Sequence, residues 1–144
     1  MKKQVYERVG IYTLEEVLPF VVYGISRGNL RRQHIRLTKQ QLHTKIIKTY
    51  HGRKIKMNSQ RYKLFAQKGV KCVTCGIEGS FFAMEKPISQ EADTYHFNLY
   101  AYNKYGDEVL MTKDHIIPRS KGGQDILNNY QTMCTICNSE KGAG

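Results

Sequence analysis

Apolar residues in the first half of the chain recur at the spacing of helices. This pattern predicts helices over residues 13–24, 38–50 and 59–69. The first begins with a capping box, Thr13–Glu16, but contains Pro19, which would start, kink or break it. Thr38 can cap the second helix, and Asn58 or Ser59 the third, while Gly69 stands where a helix commonly ends. The first half is therefore expected to be mainly helical.

The pattern changes to alternation after Gly69, which predicts strands. Candidate strands cover residues 81–85, 95–102 and 108–116, with a hairpin loop over 103–107 between the last two. Pro118 and two glycines indicate a loop over 118–125. A short extended piece over 129–133 and a last helix from about Thr135 complete the expected elements.

The four cysteines of the chain form two Cys-x-x-Cys pairs. Cys72 pairs with Cys75 and Cys134 with Cys137, a spacing that lets the thiolates of each pair reach one tetrahedral Zn²⁺. Two disulfides or four unrelated core thiols are the alternatives, and a reducing compartment disfavours disulfides. Because 59 residues separate the pairs (134 − 75), a shared zinc would close a whole subdomain. A closed site of four cysteines is expected to be structural rather than catalytic.

The charge of the chain indicates a polyanionic partner. The chain has 23 Lys and Arg against 12 Asp and Glu, a formal net charge of +11. Between Val17 and Ile77 there is no acidic residue, while 14 basic residues fall there. Such a block can be a solvated face, but without acids to pair with it favours phosphate binding. The candidate nucleic-acid contacts in this block are Arg31, Arg32, Arg36, Lys45, Lys48, Arg53 and Lys54.

The sequence shows no segment directed at a membrane. No apolar run approaches the roughly 18 residues of a membrane span, and the first residues lack the apolar core of a signal peptide. We therefore expect a cytoplasmic protein with no small-molecule cofactor. Two or three short basic helices could be a helix-turn-helix-like DNA reader or a generic basic lobe, and the pattern does not distinguish the two.

Candidate catalytic groups lie near the second cysteine pair. Asp114 and His115 end a predicted strand, and Asn138 follows Cys137 directly. Together they offer two oxygen ligands and one imidazole. Hydrolysis of a phosphodiester needs a base for water and a cation that neutralises charge on the phosphate, and these three side chains can supply both.

These motifs resemble those of the HNH (ββα-metal) endonucleases. The pattern is Asp114-His115-Ile-Ile-Pro118, then Gly122-Gly123, Asn129-Tyr-Gln, Cys134-x-x-Cys137-Asn138 and Lys141-Gly142. In members that carry a four-cysteine zinc knuckle, the match extends back to Cys72-x-x-Cys75, so it covers about residues 70–142. The whole chain looks most like small phage-type HNH proteins, including homing-like endonucleases, which would place it in a bacterial host cell.

The resemblance implies a role for each matched residue. His115 would be the general base and Asp114 a ligand of the catalytic divalent ion. Asn129 would hydrogen-bond across the loop and fix the strand that bears the base. Asn138 would complete the ion site, and because Asn replaces His there, the site favours Mg²⁺ or Mn²⁺. Arg119, Lys121 and Lys141 lie close enough in sequence to contact flanking phosphates.

The pleat of a strand raises a difficulty for this assignment. Successive residues point to opposite faces, so Asp114 and His115 cannot both face one phosphate from a regular strand. We therefore expect a distortion or a strand end within residues 114–118, and Pro118 is consistent with pairing that stops there.

The fold class expected is α+β. A basic helical, DNA-binding region over residues 1–69 would precede an HNH nuclease domain over 70–144, clamped by the four-cysteine zinc. The function expected is metal-dependent endonucleolytic hydrolysis of DNA, with a non-catalytic zinc-stabilised DNA-binding module as the alternative. Charge alone does not exclude RNA. A single site would nick DNA, whereas a homodimer could cut both strands, and the sequence leaves this open.

Overall fold

The structure is a computed structural model, and it describes residues 5–24 and 27–142, without the side chains of 27–29. It contains seven strands and five α-helices in those residues. The strands are β1 (Tyr6–Tyr12), β2 (Ile47–Tyr50), β3 (Arg53–Lys56), β4 (Gly79–Pro87), β5 (His96–Tyr102), β6 (Glu108–His115) and β7 (Tyr130–Cys134). The helices are α1 (Leu14–Val17), α2 (Arg27–Arg32), α3 (Lys39–Ile46), α4 (Gln60–Lys68) and α5 (Thr135–Lys141).

Five of the strands form one antiparallel sheet in the order β1-β4-β5-β6-β7. Strand β6 changes partner along its length, because Glu108–Leu110 pair with β5 and Met111–His115 pair with β7. Helix α5 packs on β6 and β7. The last three elements therefore form a ββα unit at one edge of a sheet-rich α+β body.

Strand β1 has no counterpart in the elements predicted from the sequence. It pairs antiparallel with β4, from Tyr6 opposite Pro87 to Tyr12 opposite Phe82. The paired residues are 70 to 81 positions apart in the sequence, so only the fold reveals the pairing. The N-terminal part of the chain thus contributes the edge strand of the main sheet.

The first predicted helix is wrong in its extent. The capping box forms as expected, with Glu16 N–H donating to Thr13 Oγ1, but α1 ends at Val17 and a 3₁₀ turn covers Leu18–Phe20. Proline cannot donate a backbone hydrogen bond and its ring crowds the preceding turn. Pro19 therefore breaks the helix, rather than starting or kinking it.

The second predicted helix is also wrong beyond Ile46. Residues 47–50 form β2 instead, which pairs with β3 through a two-residue turn at His51 and Gly52. Both turn residues have positive φ, 47° and 79°, the backbone that two-residue hairpins with type I′ turns require. β-Branched Ile47 and Thr49 suit a strand better than a helix. A basic hairpin thus stands where the helical lobe was expected to continue.

The elements predicted downstream of residue 58 are confirmed. Helix α4 begins at Gln60 after the Ser59 cap and ends before Gly69. Strands β4, β5, β6 and β7, the 103–107 hairpin loop and α5 lie within a few residues of their expected positions. These segments combine a strong local pattern with a clear cap or turn, so their positions can be predicted from local sequence.

The main core lies on one face of the sheet, under α1 and α4. Buried aromatic and aliphatic side chains fill it, among them Tyr62, Phe65, Phe82, Phe97 and Leu99. The opposite face carries Phe81, Ala83 and Tyr100, with the Arg8 guanidinium over the two rings. The core side chains come from both sides of residue 69, and the proposed division into regions 1–69 and 70–144 stays a prediction. No helix among the described residues has the length and apolar character needed to cross a bilayer.

Candidate functional site

The four cysteines meet at a turn and a helix start. The Cys72–Cys75 turn is closed by hydrogen bonds from Cys72 N–H to the Ile77 carbonyl and from Gly76 N–H to the Cys72 carbonyl. Val73 N–H donates to the Thr132 carbonyl and so docks the turn on β7. The second pair stands at the beginning of α5, where Cys137 N–H donates to Cys134 Sγ.

The four thiols fit a tetrahedral zinc. Their Sγ atoms all lie within 4.8 Å of one another, and the Cys75 and Cys134 sulfurs are 3.8 Å apart. Zn–S bonds of about 2.3 Å give a tetrahedron with edges of about 3.8 Å. The sequence prediction that these residues form one cluster is confirmed, and the cluster could bind a metal ion.

The electrostatics of the cluster differ between its members. Burial raises the pKa of the Cys72 thiol, but backbone hydrogen bonds, including those from Cys75 and Cys134, outweigh it and lower the pKa to about 6. Burial and the neighbouring thiols raise the pKa of Cys137. The Cys72 thiolate, the form that ligates metals, is therefore favoured before an ion contributes its own charge.

Strand pairing sets the directions of Asp114 and His115. β6 stays in register with β7 through its last residue, with Asp114 opposite Gln131 and His115 opposite Tyr130. The strand is not distorted before His115. It ends at His115, which is the second of the two possibilities expected for residues 114–118. The two side chains therefore point to opposite faces of the strand end, and both residues line the same pocket.

Helix α5 covers the face of β6 that carries Asp114. The Asp114 carboxylate is buried and accepts hydrogen bonds from Gln131 Nε2 at 2.9 Å and Lys141 Nζ at 2.7 Å. Asn138 Nδ2 donates to Thr112 Oγ1 at 2.9 Å, two residues before Asp114 on the same face. Lys141 also donates to the His115 carbonyl at 2.6 Å. Lys141, expected at DNA phosphates, thus lies inside the pocket as the counter-charge of Asp114.

His115 faces the other side, towards the loop that follows β6. Its Nε2 lies 2.7 Å from Asp125 Oδ1, and its ring meets the edge of the Tyr130 ring at a centroid distance of 5.0 Å. The hydrogen bond to His115 lowers the pKa of Asp125, which keeps the carboxyl ionised. An ionised carboxylate only accepts, so Nε2 is the donor in this hydrogen bond.

Asn129 holds that loop closed. Its Oδ1 accepts from Ile117 N–H at 2.9 Å, and its Nδ2 donates to the carbonyls of Ile117 at 3.1 Å and Gln124 at 2.9 Å. The loop folds tightly enough that a Cβ on Gly123 would lie 1.7 Å from the Ile117 carbonyl oxygen. These bonds cross the loop in the way the family resemblance implies for Asn129, while its part in catalysis stays a prediction.

The three candidate groups share one pocket. Its volume is about 360 Å³, and its walls include Lys113, Asp114, His115, Arg119, Asn138 and Lys141. Asp114 and Asn138 provide two oxygen-bearing side chains, a set that fits a hydrated Mg²⁺ or Mn²⁺, provided that Lys141 gives up its place at the carboxylate. Arg119 lines the pocket, and both it and Lys121 are exposed on a 3₁₀ turn over Arg119–Lys121.

The basic residues expected to contact nucleic acid in the first half are spread over several elements. Arg31 and Arg32 are exposed on α2, and Arg36 in the following loop. Lys45 is exposed on α3, and Arg53 and Lys54 on β3. Lys48 is half-buried on β2, with its ammonium 4.1 Å from the centre of the Phe20 ring. They do not form a single helical face, and their contact with nucleic acid stays a prediction.

β6, β7 and α5 form a ββα unit with an Asp-His pair on its first strand and an asparagine on its helix, next to the four-cysteine cluster. Residues 103–144 match the family model of the HNH endonucleases. The family resemblance is thereby confirmed over that segment, and its phage-type part stays a prediction. Searches of curated proteins and of solved structures find no match.

Sequence reasoning missed Asp125, the partner of His115. Nothing in its local sequence separates it from an ordinary loop aspartate, since it lies ten residues from the histidine (125 − 115) in a glycine-containing segment. The contacts of Gln131 with Asp114 and of Thr112 with Asn138 were missed as well. The pairing of β6 with β7 could have identified Gln131, because the two strands place it opposite Asp114.

The first prediction concerns the zinc cluster. Cys75→Ser removes one thiolate, so we expect the protein to lose its zinc. Because a structural zinc contributes folding free energy directly, we also expect the C-terminal half to lose its cooperative unfolding transition. Val73→Ser, an exposed non-ligand in the same turn, is the control. Zinc content by mass spectrometry and thermal unfolding measure both effects. A Cys75→Ser protein with wild-type zinc content and thermal midpoint would contradict the site.

The second prediction concerns the loop closed by Asn129. Asn129→Ala removes three side-chain hydrogen bonds, so we expect the free energy of unfolding to fall by about 3 kcal/mol, at about 1 kcal/mol for each bond. Faster exchange of the Ile117 amide should accompany the loss. Asn128→Ala, at an exposed neighbour, should leave both quantities near wild type. Equal effects of the two variants in urea denaturation would rule out this role of the Asn129 side chain.

Proposed function

We propose that the protein is an HNH-type endonuclease that hydrolyses phosphodiester bonds of DNA. The observation that supports it best is the common pocket of Asp114, His115 and Asn138, together with the HNH family match over the same residues. The net charge of +11 supports a polyanionic substrate. Zn²⁺ at the four cysteines would be structural, and Mg²⁺ or Mn²⁺ at Asp114 and Asn138 catalytic.

His115 acts as the general base in this proposal. Its Nδ1 takes a proton from water, and the resulting hydroxide attacks phosphorus in line with the departing 3′ oxygen. Asp125 accepts from Nε2 and so holds the ring with Nδ1 free, while the Tyr130 ring packs against the imidazole. Asp125 also balances the positive charge that the ring gains with the proton.

The remaining groups of the pocket would stabilise negative charge on the phosphate. When bound, a divalent ion would neutralise charge on the phosphate and on the leaving oxygen. Asp114 and Asn138 would hold that ion, and Lys141, released from Asp114, would be free to approach a phosphate oxygen. The exposed Arg119 and Lys121 would contact flanking phosphates, and Asn129 would keep the base-bearing strand end in place.

One observation favours a second candidate function. The Lys141 ammonium already satisfies the Asp114 carboxylate at 2.7 Å, and a site closed by its own cation needs no metal. In that case the chain would be a zinc-stabilised DNA-binding module without catalysis. The two functions differ in whether the protein cuts DNA when Mg²⁺ or Mn²⁺ is added.

The third prediction tests the base. With supercoiled plasmid and Mg²⁺ or Mn²⁺, we expect His115→Ala to cleave 10²- to 10⁴-fold more slowly than wild type, the range that general-base catalysis typically contributes. Its affinity for DNA should be unchanged, as measured by gel shift without the divalent ion. His43→Ala, an exposed histidine on α3, serves as the control. Cleavage by His115→Ala at the wild-type rate would remove the proposed base, and binding without any cleavage by wild type would favour the second function.

A further inference from the structure

Asp114 and Asn138, the two oxygen-bearing side chains of the pocket, are each held by hydrogen bonds to one polar atom only. Asn138 Nδ2 donates to Thr112 Oγ1 at 2.9 Å. Asp114 Oδ2 accepts from Gln131 Nε2 at 2.9 Å and from Lys141 Nζ at 2.7 Å. Within the described part of the chain, neither Asn138 Oδ1 nor Asp114 Oδ1 has a hydrogen-bond partner. Each residue therefore keeps one oxygen free while its other polar atom is fixed.

The two free oxygens are accessible. Arg61 Nε is the only buried side-chain nitrogen or oxygen without a partner among the described residues. The Oδ1 atoms of Asp114 and Asn138 have no partner either, so they cannot be buried. Because both residues line the same pocket, these oxygens are available to a cation that enters it, and oxygen is the ligand that hard divalent cations take.

The hydroxyl of Thr112 determines which atom of the Asn138 amide faces the strand. Thr112 Oγ1 donates its single proton to the Met133 carbonyl at 2.8 Å. Towards Asn138 it can therefore only accept, so the amide must turn Nδ2, its donor, towards Thr112. An amide without this partner could rotate and exchange the positions of Nδ2 and Oδ1. The amide nitrogen only donates, so it cannot replace Oδ1 as a ligand of a cation.

Asp114 needs such orientation less than Asn138 does. A carboxylate offers an oxygen whichever way it turns, whereas an amide offers one in a single orientation. Gln131 also donates to the same carboxylate oxygen as Lys141, so Asp114 stays held when Lys141 leaves it, as the proposed function requires. Asn138 is therefore the ligand whose direction matters most.

We propose that Thr112 is a positioning residue of the ion site, which holds Asn138 Nδ2 so that Oδ1 stays turned towards a divalent cation such as Mg²⁺ or Mn²⁺. This role rests on the proposed function, in which Asp114 and Asn138 hold that ion. Partners that orient metal ligands typically contribute about 10- to 100-fold to metal affinity. Thr112 thus sets the affinity of the site without touching the ion or the DNA.

Binding of Mn²⁺ to zinc-loaded protein, followed by electron paramagnetic resonance, tests this role independently of cleavage. Thr112→Val keeps the branched side chain and removes the hydroxyl, so we expect Mn²⁺ to bind about 10- to 100-fold more weakly. Thr112→Ser retains a hydroxyl and should bind Mn²⁺ nearly as tightly as wild type. Thermal midpoint and zinc content are measured for each variant as a check on its fold.

Thr132→Val is the matched control. Thr132 is buried on β7 and also donates from its hydroxyl to a backbone carbonyl, that of Gly69 at 2.8 Å, but it does not line the pocket. Its replacement should lower the thermal midpoint and leave the affinity for Mn²⁺ unchanged. Equal losses of Mn²⁺ affinity in Thr112→Val and Thr132→Val would mean that lost stability alone weakens the site, which overturns the positioning role.

The Asn138→Asp background isolates the direction of the amide. Because a carboxylate presents an oxygen in either orientation, Thr112→Val should weaken Mn²⁺ binding less in this background than in the wild type. An equal fold-change in the two backgrounds would show that Thr112 does not act through the orientation of the residue at position 138.

The held amide can also be observed without any divalent ion. In nuclear magnetic resonance spectra, the Nδ2 protons of Asn138 are those that Thr112 accepts, so they should exchange with solvent faster in Thr112→Val than in wild type. Unchanged exchange would overturn the positioning role, whatever the affinity for Mn²⁺.

The outcomes separate this role from the function that it deepens. Wild-type protein that binds no Mn²⁺ overturns the ion site itself, and the role of Thr112 with it. Mn²⁺ binding that is equally tight in wild type and Thr112→Val overturns the role alone and leaves the proposed nuclease intact. Weaker binding in Thr112→Val that Thr112→Ser does not share supports the role.

Discussion

The closure of residues 72–75 onto residues 134–137 is the constraint on which the rest of the site depends. The four sulfurs lie within 4.8 Å of one another although 59 residues separate the two pairs (134 − 75). Because α5 starts at Thr135, directly after Cys134, this closure fixes where the helix begins and which face of β6 it covers. Asn138 and Lys141 then lie against Thr112 and Asp114. A zinc bound here would hold a helix of seven residues that could not remain folded alone.

The strand pleat directs the side chains of Asp114 and His115 to opposite faces of β6, and a different element covers each face. One side is covered by α5, which surrounds Asp114 with amide and ammonium groups. The other is covered by the loop clamped by Asn129, which presents Asp125 to His115. Both residues nevertheless line one pocket. Under the proposed function, His115 would activate water and Asp114 would help to neutralise charge, from opposite faces of a single strand end.

The parts of the fold and site that could be predicted from the sequence are those set by interactions between residues close together in the chain. The cysteine pairs, strands β4 to β7 and helix α5 carry strong local signals, and their positions were predicted. Residues 47–50 look helical in isolation, but they pair with β3 across a turn whose positive φ values come from His51 and Gly52. Strand β1 and Asp125 acquire their roles from partners far along the chain or across a loop, which no local pattern records.

The proposed function requires Asp114 and Asn138, held in place by the cysteine cluster, to form a site for a hard divalent ion. Binding of Mn²⁺ to zinc-loaded protein can be followed directly by electron paramagnetic resonance. We expect one bound Mn²⁺ per chain in the wild type, and its loss in Asp114→Asn with the zinc content unchanged. Wild-type protein that binds no Mn²⁺, or an Asp114→Asn variant that binds it equally well, would contradict the claim.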